Sequence, residues 1–101
     1  MDKRLEYLYD QIEEELDDAH GYIKKAMKCK GEHLEMANTL TRLSAEELQH
    51  AQVLVATAAQ DVSHLEKSGM QEAVVFHKWL HKRFENRMAE IKKLHEEYHK
   101  M

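Results

Sequence analysis

The sequence predicts an all-α fold: a long antiparallel helical hairpin followed by a third long helix. Three observations carry that expectation. The 101 residues contain no proline and only three glycines. The chain is rich in Glu, Lys, Leu, Ala and Met, residues that hold helical backbone well. Apolar residues also recur at steps of three and four over long stretches, the spacing of one helix face. A chain this short forms one domain, residues 1–101, with a core of marginal size.

The first helix is expected over about residues 2–30, with Gly31 as its stop. Its seam reads Leu5, Leu8, Ile12, Glu15, Ala19, Tyr22, Ala26 and Cys29. Glu15 is the one position that does not suit a bundle core. Leu16 and Ile23 widen the apolar stripe, which lets Glu15 sit at its edge. Gly21 weakens the helix by roughly 1 kcal/mol relative to alanine and marks a close backbone approach or a slight bend. The second helix is expected over about residues 32–67, ended by Ser68-Gly69. Its seam is Ala37, Leu40, Ser44, Glu47, Ala51, Leu54, Ala58, Val62 and Leu65. The third helix, over about residues 70–99, carries the stripe Ala73, Phe76, Leu80, Phe84, Met88, Ile91, Leu94 and Tyr98. Phe76 and the adjacent Trp79 read as packing anchors. This stripe needs a partner surface: the hairpin, a second subunit, or both.

Charge and cysteine usage narrow the function classes. The formal charge is -4 with both signs interleaved, so no basic face invites nucleic acid. No apolar run reaches the ~20 residues that span a bilayer. The start, Met1-Asp2-Lys3-Arg4-Leu5, leads into Glu6 and Asp10 and does not read as a secretory signal. Cys29 is alone, which excludes an internal disulfide framework and fits a reducing cytoplasm. No Ser-His-Asp arrangement, Gly-rich phosphate loop or CxxC pair is present.

One stretch organises the rest: Ser44-Ala45-Glu46-Glu47-Leu48-Gln49-His50-Ala51. On a helix, Glu47 and His50 share a face. A carboxylate in an apolar seam is costly unless it is paired, protonated or metal-bound. The short Lys30-Gly31-Glu32 connection makes an antiparallel hairpin. Glu15 lies about 16 residues before that turn and Glu47 about 16 after it, so both sit ~24 Å from the bend. They are therefore expected at one level, facing each other. Two carboxylates and one imidazole suit Fe(II), Mn(II) or Zn(II). One hairpin supplies three ligands. Two hairpins about a two-fold axis would supply four carboxylates and two histidines, the set of a di-iron carboxylate site.

The order Glu15, Tyr22, then Glu47-x-x-His50 followed by Ala51, resembles the ferritin-like superfamily over roughly residues 8 to 65. A single copy per chain looks most like the encapsulated-ferritin type or a rubrerythrin-type half-bundle. The resemblance implies a ferritin-like four-helix bundle completed by dimerisation, with one di-iron site shared by two chains. It implies Glu15 as a terminal ligand, Glu47 as a bridging carboxylate and His50 as a nitrogen ligand. Tyr22 becomes a hydrogen-bonding or redox neighbour, and Glu14 and Asp17 an acidic access path for metal. The implied activity is ferroxidase-like oxidation of Fe(II) by O2 or peroxide in a homodimer or higher homo-oligomer, with Mn or Zn as other metals. An encapsulin shell is an implied partner, although Glu97-Tyr98-His99-Lys100-Met101 is not an obvious docking tail. The third helix is also longer and more aromatic than that family's brief appendage.

Other groups have the spacing of ancillary metal ligands. Asp61 and His64 repeat the acid-imidazole spacing near the end of the second helix. His77, His81 and Glu85 form an i, i+4, i+8 line beside the third stripe. His77 and His81, with His95 and His99, more simply read as partly exposed flank residues. Two other functions compete: a helical interaction module without redox chemistry, and a non-redox Zn, Ni or Cu binding protein using the His-rich third helix.

Overall fold

The computed structural model describes residues 2–101. Among them, every regular element is a helix: α1 (Lys3–Cys29), α2 (Leu34–Lys67) and α3 (Gln71–Lys100). Asp2 opens α1, its side chain accepting from the Arg4 and Leu5 N–H groups at 2.7 and 3.3 Å. That satisfies two of the donors that a helix start leaves open. The first turn is held by Cys29, whose carbonyl accepts from Glu32 and His33 at 3.1 and 2.7 Å. The turn after α2 closes differently. Gly69 adopts φ 81°, and Met70 N–H reaches back to the Leu65 carbonyl at 3.3 Å while Gly69 N–H reaches Glu66 at 3.2 Å. This paired closure needs a left-handed residue, which glycine adopts without strain.

The molecule is a rod of 55 × 20 × 15 Å, and its length follows from α2. Thirty-four helical residues rise about 51 Å at ~1.5 Å each. The α1·α2 hairpin forms the larger interface, and α3 lies along one side of it. One core cluster joins Leu5, Tyr9, Ile12, Leu16, Leu48, Ala51, Val62, Phe84, Met88 and Ile91. A smaller one near the first turn joins Ile23, Ala26, Ala37, Leu40 and Tyr98. Lys30 clips the end of α3 to that turn, donating to the Tyr98 carbonyl at 2.6 Å.

Three expectations change. On α1, Tyr9, Leu16 and Ile23 are fully inward while Glu15, Tyr22 and Cys29 are half-buried. A helix touching two neighbours buries a wider arc than a two-helix seam. Gly21 marks no close approach, since a Cβ built there meets nothing within 4 Å. On α3, Phe76 and Trp79 are not anchors; they are 44% and 57% exposed. Val74 and His77 are buried instead. The first half of α3 is thus turned by about one residue, ~100°, from the face its apolar pattern marks. The physical reason is Tyr9, whose buried hydroxyl takes His77 and His81 as its partners; a phenyl ring at that place would offer it none.

Candidate metal centre

The structure brings Glu15, Glu47 and His50 together, with one ligand atom from each lying within 4.8 Å of the others. Their meeting follows from hairpin geometry: equal rise on either side of a short turn levels Glu15 with Glu47, and one turn on α2 adds His50. The side on which they sit follows from the α3 contacts. Arg87 of α3 donates to Glu13 at 3.0 Å and to Asp17 at 2.8 Å. Glu15 stands two residues from each, about 160° around α1. The cluster therefore lies on the side of the hairpin that α3 leaves open.

His50 Nδ1 is 3.5 Å from Glu15 Oε2 and 3.8 Å from Glu47 Oε1. Both distances exceed the ~2.7–3.2 Å of a formed N–H···O hydrogen bond. Donors about 2.1 Å from one shared cation stand up to ~4.2 Å apart, which covers both separations. Glu15 Oε2 is buried with no hydrogen-bond partner, an uncompensated desolvation of the kind a cation removes. The Glu47 carboxyl is pushed above the usual carboxylate range, first by hydrogen bonding with Glu15, then by burial and the like charge of Glu15; His50 opposes the shift. With side-chain exposures of 20%, 25% and 59% for Glu15, Glu47 and His50, the cluster has a closed acidic base and an open imidazole edge. Two hard oxygens and one borderline nitrogen fit Fe(II), Mn(II) or Zn(II) and leave coordination positions free.

The remaining candidates go elsewhere. Tyr22 is half-buried and packs with the cluster around Ile23, Ala37 and Tyr98, two turns along α1 from Glu15. Glu14 is exposed. Asp17 lies on the α3 side, paired with Arg87, so it does not lead to the cluster as the resemblance implied. Asp61 and His64 line one shallow groove, but the Arg4 guanidinium Nε stands 3.0 Å from Asp61 Oδ2. A protein cation already takes the position an ion would need. His77 is not a flank residue: it is 4% exposed. Its Nδ1 lies 2.8 Å from the Tyr9 hydroxyl, and His81 Nε2 lies 3.2 Å from the same oxygen. His95 also turns inward. Ser44 Oγ donates to the Ala19 carbonyl at 2.6 Å; its single proton is thereby used, so His95 Nε2–H donates to Ser44 at 2.9 Å. Burial lowers the pKa of each of these three histidines.

Tyr9 and Ser44 are the polar residues that sequence reasoning left without a role. The one trace of Tyr9 in the sequence was the i, i+4 histidine pair, whose spacing lets two rings reach one atom.

Among the described residues, no helix is long and apolar enough to cross a membrane. No curated protein and no solved structure matches the chain. A family model matches residues 8–100, from the first turns of α1 to the end of α3. The chain belongs to that family, described as a domain of unknown function, DUF4032.

Proposed function

We propose that this chain is a ferritin-like half-bundle that binds a divalent transition metal through Glu15, Glu47 and His50. In this reading two copies dock their open hairpin faces, forming a four-helix bundle with a di-iron site between them. The site oxidises Fe(II) with O2 or peroxide. The observation that supports it is the spacing of the three donors: too wide for hydrogen bonds at 3.5 and 3.8 Å, and right for ligands around one ion. The unpartnered Glu15 Oε2 adds a reason for the cation to be needed. A bound metal pair would supply the two electrons that the oxidant takes and open positions for it to approach. The chain's own residues supply the rest. Glu15 and Glu47 hold charge at the base, His50 gives a neutral donor from the rim, and the buried Leu48 and Ala51 keep the inner side dry.

The test is anaerobic Fe(II) titration of the whole chain followed by air. We expect near-ultraviolet ferric absorption at about one iron per chain, given the three ligands each hairpin brings, and a dimer in light scattering. Glu47→Ala abolishes both the absorption and iron retention. A monomer that retains no Fe(II), Mn(II) or Zn(II) sinks the reading.

A second reading has its own support. His50 faces both carboxylates, so a protonated imidazole serves them as a counter-ion and the chain is a helical interaction module. It predicts no metal retention, together with loss of stability on His50→Ala.

A further inference from the structure

We propose that Tyr9, His77 and His81 form a proton-operated catch: they hold the first half of α3 against α1 while at least one imidazole is neutral, and acid that protonates both releases it. The inference is independent of the metal reading, because Tyr9 stands about 120° around α1 and ~9 Å along it from Glu15, and both histidines come from α3.

Proton accounting carries it. Three atoms meet: Tyr9 Oη, His77 Nδ1 at 2.8 Å and His81 Nε2 at 3.2 Å. Two hydrogen bonds among three atoms use two protons. The Tyr9 O–H supplies one, one imidazole N–H supplies the other, and the second imidazole nitrogen accepts through its lone pair. Add one proton and the other ring still accepts, by carrying its own proton on its far nitrogen; protonate both rings and both bonding nitrogens must donate to Tyr9. The Tyr9 oxygen then accepts from both, and its own O–H loses its partner in a buried site. The phenol offers no escape by ionising: burial, with Asp61 adding, pushes its pKa up to about 12.

The surroundings offer an added imidazolium N–H no ring atom that accepts a hydrogen bond. Phe84 lies 5.7 Å from the Tyr9 ring and 6.2 Å from His81, and Phe76 lies 5.6 Å from His77. The neighbouring carboxylates are mostly engaged. Asp2 on α1 caps its own helix, Asp61 on α2 is beside Arg4, and Glu66 on α2 pairs with Lys78 at 3.2 Å. On α3 itself, Glu85 is exposed and Lys78 and Lys82 add positive charge beside His81. Burial accordingly comes first among the causes that lower both histidine pKa values.

The release is local. Beyond this point α3 is held by Phe84, Met88, Ile91 and Tyr98, by the Arg87 pairs with Glu13 and Asp17 and by the His95 contact with Ser44. Next to the catch, a groove of about 320 Å³ over Ala59 and Val62 already separates α2 from α3. The apolar contacts that oppose opening there come from the buried Val74 and the half-buried Leu80.

The experiment is amide hydrogen exchange on the whole chain from about pH 7.5 to about pH 5, corrected for the intrinsic exchange rate, with imidazole titration followed by NMR. Protection in the first half of α3 is expected to fall by up to about tenfold per pH unit below the histidine range, per proton taken up. The α1·α2 hairpin keeps its own, and in a His95→Gln background, where the His95 contact with Ser44 no longer titrates, so does the second half of α3. His77 and His81 should titrate together with that loss, below the ordinary histidine value. The double variant His77→Asn/His81→Gln places amides where the two bonding nitrogens were and cannot titrate; its α3 protection is expected to be flat with pH. The proposal is overturned if α3 protection in the native chain follows the hairpin at every pH. It is also overturned if His77 and His81 gain protons while α3 stays protected, a result readable even where the variant fails to fold. An unchanged pH response in a folded double variant overturns it as well.

Discussion

Replacing Glu47 by glutamine separates the metal reading from the counter-ion reading in one set of melts. The side chain keeps its length, and only its charge is removed. In the metal-free chain, ligand atoms of Glu15 and Glu47 lie within 4.8 Å. Two unit charges at that distance repel by ~0.9 kcal/mol in water and ~3.5 kcal/mol at an effective dielectric of ~20. The Glu15 and Glu47 side chains are 20% and 25% exposed on an open hairpin face, so solvent screening sets the lower figure. Glu47→Gln is therefore expected to stabilise the chain in chelator by about 0.5–1 kcal/mol. Metal reverses the order. At about 100-fold above its Kd, Zn(II) or anaerobic Fe(II) adds ~2.7 kcal/mol to the native chain. For a domain of ~100 residues that raises Tm by roughly 10–20 °C. The variant, lacking one of three ligands, should show a small fraction of that shift. Differential scanning calorimetry with and without metal reads both effects. An equal metal-dependent shift in the variant, or none in the native chain, refutes the reasoning.

Three further perturbations test the fold. Phe84 is fully buried where all three helices meet, so Phe84→Ala should cost about 3–5 kcal/mol in urea denaturation, and a loss under ~1.5 kcal/mol would contradict the packing described. Gly21→Ala meets open space and should raise stability by roughly 0.5–1 kcal/mol in the same assay; a destabilised variant would reveal a backbone contact there. The third concerns His95, whose pKa lies below its usual 6.5, first through burial and then through His99. Its contribution to stability is fully present above pH 6.5 and is lost as pH falls through the folded value, because the unfolded chain takes up the proton more readily. Replacing His95 by glutamine should flatten that part of the profile of urea midpoint against pH; an unchanged slope would assign it to other groups.

Helix number, the hairpin and the common level of Glu15 and Glu47 were legible in the chain, for one reason. Each depends on local quantities: helical period, rise per residue, and a short turn at Lys30–His33. Glu15 also showed itself as an acidic residue out of place in an apolar repeat. The same repeat misplaced Phe76 and Trp79, because apolar spacing ranks histidine as a surface residue. It could not register that His77 and His81 share a buried phenol contributed by α1, 68 and 72 residues away in sequence. Asp17 followed the same rule, since its direction was decided by Arg87 on α3. The sequence by itself determined the helices, their order and the heights at which their side chains stand. Tertiary structure alone decided the rotation of α3 and the partners of its histidines, because a helix turns to satisfy the polar groups of whatever surface it lands on.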